Sequence, residues 1–363
     1  QQDNEQKRFE STTTKQKEEQ IIAGNLSAVL NPATTIIVNF GIIAILYISG
    51  FKINAGSMTQ GEVISLINYM NQILLSMYVF ANVIVILNKA SASYKRCADV
   101  LSQKSDIVQG INEAPSDYQN LITYDHVSFS YYSGNALTDV SFNILPGQTI
   151  GIIGGTGSGK TTLINLIPRF YDVTEGEIRI KDLPIKSYKF KDLRNMIGIV
   201  PQQATLFGGT IRENMQWGHP HATDEEIYEA LELSQSKEFV DKMTEGLDTY
   251  IEQGGKNVSG GQRQRLTIAR ALVKKPEILI LDDSASALDF ATDAKLRKAL
   301  STLNMTVIIV SQRVSALMHA DSIVVLSHGE VVGQGTHDML MNTCDVYQEI
   351  VMSQMEGGQN NEE

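Results

Sequence analysis

The sequence is poor in cysteine and in positive charge. Of its 363 residues only Cys97 and Cys344 are cysteines, too few for a disulfide framework or a zinc site made of cysteines alone. We expect both to be small packed side chains. Lys and Arg number 30 against 41 Asp and Glu, which gives a net charge of −11. Because nucleic-acid binding depends on cations that neutralise phosphates, this balance argues against a nucleic-acid partner.

Charge is missing altogether from two long stretches. No Asp, Glu, Lys or Arg occurs in residues 21–51 or in residues 63–88. A helix that crosses the ~30 Å hydrocarbon core of a bilayer needs ~20 apolar residues, so both stretches are predicted to be transmembrane helices. The alternative is a pair of helices buried in a large soluble core. The stretches contain scattered amides, which favour packing in a helical bundle: Asn39, Asn68, Asn71, Gln72 and Asn82.

Basic residues flank both outer ends of this pair, whereas the connector 52–62 carries a single Lys. By the positive-inside rule the two helices form a hairpin in the cell membrane with both ends in the cytoplasm. Residues 1–20 are polar and are predicted to form a cytoplasmic helix that precedes the hairpin (21–96). The chain begins with Gln1 rather than Met, and we expect it to be part of a longer protein.

The composition changes after Arg96. Residues 97–120 mix helical and turn residues and are predicted to be a linker. From about Leu121 short apolar runs alternate with amphipathic helices, a pattern typical of an α/β domain, here 121–353. The last residues, 354–363, are predicted to be a disordered tail because GGQNNEE is polar and biased in composition.

One motif dominates the α/β part. The sequence GGTGSGKTT fits the phosphate-binding loop (P-loop) pattern, follows an apolar run (149–153) and precedes a predicted helix (160–166). Glycines let backbone N–H groups converge on a phosphate, Lys160 adds a point charge near the β- and γ-phosphates, and the Thr161 hydroxyl can ligate Mg²⁺. The predicted nucleotide-binding residues are Gly154, Gly155, Thr156, Gly157, Ser158, Gly159, Lys160, Thr161 and Thr162.

Two further motifs accompany the P-loop. The apolar run Ile278 to Leu281 ends in Asp282, as in a Walker B strand whose carboxylate holds Mg²⁺ through water. Between the two lies the sequence VSGGQ, in which Ser259 is a natural helix N-cap and two glycines let backbone amides approach an anion. A simple cap and turn is the alternative for this segment.

Together these motifs resemble the ATP-binding cassette (ABC) family, and specifically the exporters that join membrane helices and an ATPase domain in one chain. The resemblance implies that Tyr131 in VSFSY stacks on adenine and that Gln202 in VPQQ contacts Mg²⁺. It implies that the signature residues Ser259, Gly260, Gly261 and Gln262 bind the partner subunit's ATP, and that Ser286 to Asp289 form the D-loop. Residues 1–96 resemble the second intracellular loop and the last two of the family's six helices.

The sequence departs from the family pattern at two catalytic positions. Asp283 stands where the family has the catalytic Glu, and Gln312 stands where it has the switch His. The resemblance implies that cassettes pair head to tail, so this chain's own site is expected to bind ATP and hydrolyse it slowly. Its intact signature would complete a partner's site in a heterodimeric exporter. A homodimer with two slow sites, a nucleotide-gated regulatory subunit and a soluble ABC ATPase are the alternatives.

Overall fold

The computed structural model describes residues 2–103, 107–131, 134–284 and 288–359. The chain divides into two compact units, residues 1–104 and residues 105–363.

The first unit consists of two long helices. Helix α1 spans Gln2–Asn54 and helix α2 spans Gln60–Ser102. Thr59 caps α2, and its hydroxyl accepts a hydrogen bond from the Glu62 N–H while the Glu62 side chain bonds back to the Thr59 N–H. Two segments, Pro32–Asn54 and Gln60–Ser102, are long and apolar enough to cross a membrane. Most of their large apolar side chains are exposed within this unit, as expected of surfaces that face lipid or further helices.

The predicted linker is partly helical. Helix α2 continues through Ser102, so the first six residues of 97–120 belong to a helix rather than to a linker. The run ASYKRCADVLS contains no Pro or Gly that would end a helix at Arg96. Farther along, Asn112 forms a bridge to Tyr188, which attaches this part of the linker to the second unit.

The second unit is an α/β domain. Its strands are β1 (Ile122–Tyr131), β2 (Gly134–Ile144), β3 (Thr149–Gly154), β4 (Glu175–Ile180), β5 (Leu183–Pro184), β6 (Ile197–Val200), β7 (Gly209–Thr210), β8 (Tyr250–Ile251), β9 (Ile278–Asp282), β10 (Thr306–Val310), β11 (Ser322–Ser327) and β12 (Glu330–Gly335). Its helices are α3 (Lys160–Leu166), α4 (Phe190–Asn195), α5 (Ile211–Gln216), α6 (Asp224–Leu233), α7 (Lys237–Asp241), α8 (Gly260–Leu272), α9 (Phe290–Leu300), α10 (His337–Thr343) and α11 (Asp345–Gln359).

A six-stranded sheet in the order β12-β11-β3-β10-β9-β6 forms the centre of this unit. Its strands are parallel except for β12. Side chains of the central strands alternate between two cores: Ile278 and Ile280 face one, whereas Leu279 and Leu281 face the other. The first core contains the four-stranded antiparallel sheet β2-β1-β4-β5, and the second contains helices α5, α6 and α8. Burial on both faces explains why these strands are continuously apolar.

The sheet order brings the predicted motifs to one edge. Strands β3, β6, β9 and β10 are parallel, so their carboxyl ends meet at the same edge of the sheet. The P-loop follows β3, Gln202 follows β6, Asp283 follows β9 and Gln312 follows β10. In open α/β sheets this edge is where ligands bind.

The predicted disordered tail is corrected by the structure. Helix α11 continues to Gln359, so residues 354–359 are helical, and residues 360–363 lie outside the described part. Gln354 within this stretch forms two hydrogen bonds to the segment after β10. These tertiary bonds offset the weak helix propensity of the following Gly-Gly pair, which dominated the compositional argument.

Candidate functional site

The P-loop connects β3 to α3 by the tight turn that its glycines allow. Gly157 and Gly159 have φ of +79° and +100°, a region that side-chain-bearing residues avoid. A Cβ on Gly159 would lie 2.7 Å from the Ala136 carbonyl oxygen, whereas a Cβ on Gly155 or Gly157 would meet no atom within 4 Å. The loop therefore packs tightly on its inner side and leaves open space over its outer side, where a phosphate can approach the backbone.

Lys160 lies at the start of α3 and is largely buried, with 9% of its surface exposed. Its ammonium group donates hydrogen bonds to the carbonyl oxygens of Gly154 (2.8 Å) and Gly155 (2.7 Å) and to the Ser158 hydroxyl (3.4 Å). Burial lowers the pKa of Lys160, and the carboxylates of Asp282 and Asp283 oppose that shift. The two carbonyl groups and the hydroxyl thus hold the positive charge of Lys160 at the loop, where an anion can contact it.

Asp282 ends the buried strand β9 and is 8% exposed. Burial raises its pKa, the Asp283 charge adds to that rise, and both Lys160 and a hydrogen bond with the Thr161 side chain lower it. The Walker B carboxylate and the P-loop residue Thr161 line the same cleft. The hydroxyl and the carboxylate are both hard oxygen ligands of the kind that Mg²⁺ binds.

Asp283 takes a strained backbone conformation with φ of +45°, and its N–H donates to the Val310 carbonyl of β10 at 2.8 Å. Burial raises the pKa of Asp283, while Arg313, Lys160 and a hydrogen bond with the Gln202 side chain lower it. The geometry thus joins the segments after β6, β9 and β10 around one carboxylate. Sequence patterns assign no role to Arg313 apart from its position next to Gln312.

These groups surround a cleft of about 330 Å³. The residues that line it are Ala136, Thr156, Gly157, Gly159, Lys160, Thr161, Thr162, Gln202, Asp282, Asp283, Val310, Ser311 and Gln312. The predicted P-loop, Walker B, Gln202 and Gln312 positions are therefore brought together. Ala136 is a lining residue that no motif indicated.

Tyr131 lies beside the P-loop helix. Its ring is 40% exposed, and its hydroxyl is 3.4 Å from the Thr162 hydroxyl. The ring makes edge-to-face contacts with Phe129 and Tyr171 at centroid distances of 4.7 and 5.4 Å. These contacts fix its orientation and leave the remaining ring surface available for a planar base.

The signature segment begins helix α8 at a distance from these groups in the chain's own fold. Ser259 caps α8: its hydroxyl accepts from the Gln262 N–H at 3.2 Å, and the Gln262 side chain accepts from the Ser259 N–H at 3.0 Å. Among the described residues that line the cleft, none belongs to the signature Ser259, Gly260, Gly261 and Gln262. Helix α8 begins at Gly260, directly after the predicted N-cap Ser259.

The D-loop is described in part. Asp289 caps α9 by accepting hydrogen bonds from the Thr292 N–H (2.9 Å) and hydroxyl (2.7 Å). These bonds lower the pKa of Asp289. Ser286 and Ala287, which the resemblance placed in the same loop, lie outside the described residues.

Comparisons with known proteins agree with this geometry. The ABC transporter family model matches residues 137–286. The chain is 41% identical over 353 residues to the ABC transporter ATP-binding protein YfiB of Bacillus subtilis, covering 96% of this chain and 61% of that protein. It is 36% identical over 353 residues to a Staphylococcus aureus protein named "Putative multidrug export ATP-binding/permease protein", with the same two coverages.

A solved structure, that of a bacterial Atm1-family ABC exporter with ATP bound, matches with a TM-score of 0.81 and 29% identity. The match covers 92% of this chain and 60% of that one. The chain thus spans about three fifths of the length of the relatives that it matches. A helical segment followed by a cassette of this topology and sequence is thus similar, over nearly all of this chain, to ABC transporters of exporter type.

Proposed function

We propose that the chain is one half of an ATP-driven exporter whose own site binds ATP and hydrolyses it slowly, while its signature completes a partner's site. The observation that carries the proposal is the cleft in which an intact P-loop and Walker B carboxylate face Asp283 and Gln312. The cleft thus contains the groups that bind a nucleotide, whereas Asp283 and Gln312 replace the Glu and His that act on the attacking water in the family.

ATP fits the cleft by the chemistry of its lining. The open space over Gly155 and Gly157 admits a phosphate to the backbone N–H groups, and the Lys160 ammonium lies at the same loop. Bound phosphate would draw Lys160 away from the Gly154 and Gly155 carbonyls, exchanging neutral hydrogen bonds for charge-assisted ones. Tyr131 beside Thr162 would receive the adenine.

The residues present also fit Mg²⁺. Thr161, Asp282 and Gln202 line the same cleft, so a hydroxyl, a carboxylate and an amide oxygen are available there. Within the described residues there is no cluster of three or more His, Cys, Asp or Glu, so phosphate and water would supply the remaining ligands. When bound, the ion would neutralise charge on the phosphates.

Slow hydrolysis follows from the two replaced groups. Asp283 is one methylene shorter than Glu, and a catalytic group displaced by about 1 Å can cost ~10²-fold in rate. Gln312 can donate a hydrogen bond to a γ-phosphate but cannot share a proton as an imidazole can.

The position of the signature supports a pair of subunits. Ser259 caps a helix N-terminus at which Gly260 has open space around it, suited to an anion supplied by another cassette. An intact signature beside a degenerate catalytic pair gives the two sites of the dimer unequal roles, which favours a heterodimer over a homodimer with two slow sites. The long apolar helices would anchor the pair in the cell membrane with the cassette in the cytoplasm. The cargo would be a small or amphipathic molecule.

A matched pair of variants in this chain tests the division of roles. Gly260→Glu introduces a carboxylate at a position where a Cβ meets no atom within 4 Å, so the fold should tolerate it. In the pair purified with its partner, like-charge repulsion with the bound phosphate should lower ATP turnover by at least ~10-fold. Asp283→Asn should leave most of the turnover. Equal losses from both variants would refute the heterodimer and support two equivalent sites.

The replaced catalytic groups also suit a second candidate, a nucleotide-gated regulatory subunit without turnover of its own. Lys160→Ala in this chain alone separates the two when transport into vesicles is measured. We expect transport to stop, because closure of the cassettes needs ATP at both sites. Transport that continues with little loss would favour the regulatory subunit.

A further inference from the structure

The segment that carries Gln312 is fastened to the last helix of the chain. The Gln354 side chain of α11 donates a hydrogen bond from Nε2 to the Gln312 carbonyl oxygen at 2.6 Å. Its Oε1 accepts a hydrogen bond from the Val314 N–H at 2.9 Å. One amide thus spans the two peptide groups on either side of Arg313.

These bonds serve the start of a single-turn 3₁₀ helix, Val314–Ala316. Val314 is buried, so its N–H has to be satisfied inside the protein. Only a side chain with both a donor and an acceptor can serve the carbonyl and the N–H together, and an amide provides both. The neighbouring Arg313 N–H is satisfied by the Ser311 hydroxyl at 3.0 Å.

The same segment is also held by α9. Arg297 donates to the Ala316 carbonyl oxygen, and the guanidinium is itself held by Asp293 at 2.7 Å. The backbone from Gln312 to Ala316 is therefore fixed by side chains of two helices. The exposed Gln312 side chain, which lines the nucleotide cleft, is presented by this fixed backbone.

We propose that Gln354 is a positioning residue of the nucleotide site: it fixes the backbone that aims Gln312 at the γ-phosphate and so gives ATP its advantage over ADP. The inference rests on the proposed function, because it assumes that Gln312 faces the γ-phosphate of bound ATP. It assigns a role to α11, whose final part the sequence indicated to be disordered.

The test compares two nucleotides rather than overall activity. Binding of ADP and of a non-hydrolysable ATP analogue, both with Mg²⁺, is measured on the whole protein in detergent. Gln354→Ala removes both hydrogen bonds and should weaken binding of the analogue by about fivefold while leaving ADP unchanged. Gln354→Glu keeps the acceptor but replaces the donor by an oxygen that faces the Gln312 carbonyl, and we expect a loss at least as large. Ser353→Ala is the matched control, because the Ser353 hydroxyl bonds only within α11, to Ile350.

A purely structural role for Gln354 would weaken both nucleotides together and would lower the melting temperature. Should Gln354→Ala melt early, Gln354→Met preserves side-chain length and helix propensity and allows the same comparison. Gln312→Ala is compared directly with Gln354→Ala through the ratio of analogue affinity to ADP affinity. If Gln312→Ala lowers this ratio and Gln354→Ala leaves it unchanged, the positioning role is overturned and the proposed function stands. An unchanged ratio in both variants would overturn the positioning role together with the assignment of Gln312 to the γ-phosphate.

Discussion

The tight inner side of the P-loop makes Gly159→Ala a demanding test of the site's architecture. Gly159 has φ of +100°, a conformation that costs an L-residue about 1–2 kcal/mol. The added Cβ would also lie 2.7 Å from the Ala136 carbonyl oxygen and 2.9 Å from Leu137 Cδ2. Because one neighbour is backbone, the strand β2 or the loop must shift, at a further cost of about 1–2 kcal/mol.

The two contributions add to about 3 kcal/mol of lost stability. For a domain of this size that corresponds to a fall in melting temperature of about 6–12 °C. The chain has a single tryptophan, Trp217, which lies in the α/β unit and is 69% exposed. Its fluorescence therefore reports the unfolding of that unit without a signal from a tryptophan in the long helices.

Gly155→Ala provides the matched control in the same loop. Its Cβ would meet no atom within 4 Å, so the nucleotide-free protein should melt within about 2 °C of the wild type. Its nucleotide affinity should nevertheless fall, because the methyl group enters the space left for phosphate. Melting of Gly159→Ala at the wild-type temperature, or a lower stability of Gly155→Ala than of Gly159→Ala, would refute the tight packing of the loop's inner side.

Three further predictions concern charge and capping. Lys160→Met should weaken ATP binding by at least ~10-fold in equilibrium titration, since charge-assisted phosphate contacts are lost; unaltered affinity would remove Lys160 from the site. A hydrogen bond with Asp139 raises the pKa of His126. The pair therefore stabilises the fold at pH values below 6.5, the ordinary pKa of histidine, and this stabilisation is lost as the pH rises through the raised pKa. Asp139→Asn, which tolerates the positive φ at that position, should thus lower the melting temperature at pH 5.5 and leave it unchanged at pH 9; an equal loss at both pH values would contradict the assignment. Ser259→Ala should cost about 1 kcal/mol, or about 2–4 °C, through loss of the capping bonds with Gln262, whereas Ser259→Thr should retain most of them.

The motifs and their strands could be predicted because each depends on local sequence. The P-loop strand and helix, the Walker B strand and the Ser259 cap all follow from short patterns of apolar residues, glycines and capping residues. Helix α3 has the predicted bounds 160–166, and β9 extends one residue past its predicted end at Leu281. Such patterns also indicated the two long apolar helices.

The remaining features depend on tertiary contacts that no local pattern contains. Composition predicted a disordered tail from residue 354, but Gln354 is held by backbone groups 42 and 40 residues earlier in the chain. The meeting of Gln202, Asp283 and Gln312 in one cleft likewise depends on the order of β6, β9 and β10 in the sheet. The sheet order is set by long-range pairing, which is where sequence patterns are least informative.

The most direct test of the central claim is ATP turnover by the assembled, purified protein with and without the double change Asp283→Glu and Gln312→His. Nucleotide binding is measured in parallel, so that a change in turnover is assigned to chemistry. If this chain's site binds ATP and hydrolyses it slowly, the double variant should turn over at its own site at least ~10-fold faster at unchanged affinity. Rapid hydrolysis at the unaltered site, with no gain from the double change, would contradict the account.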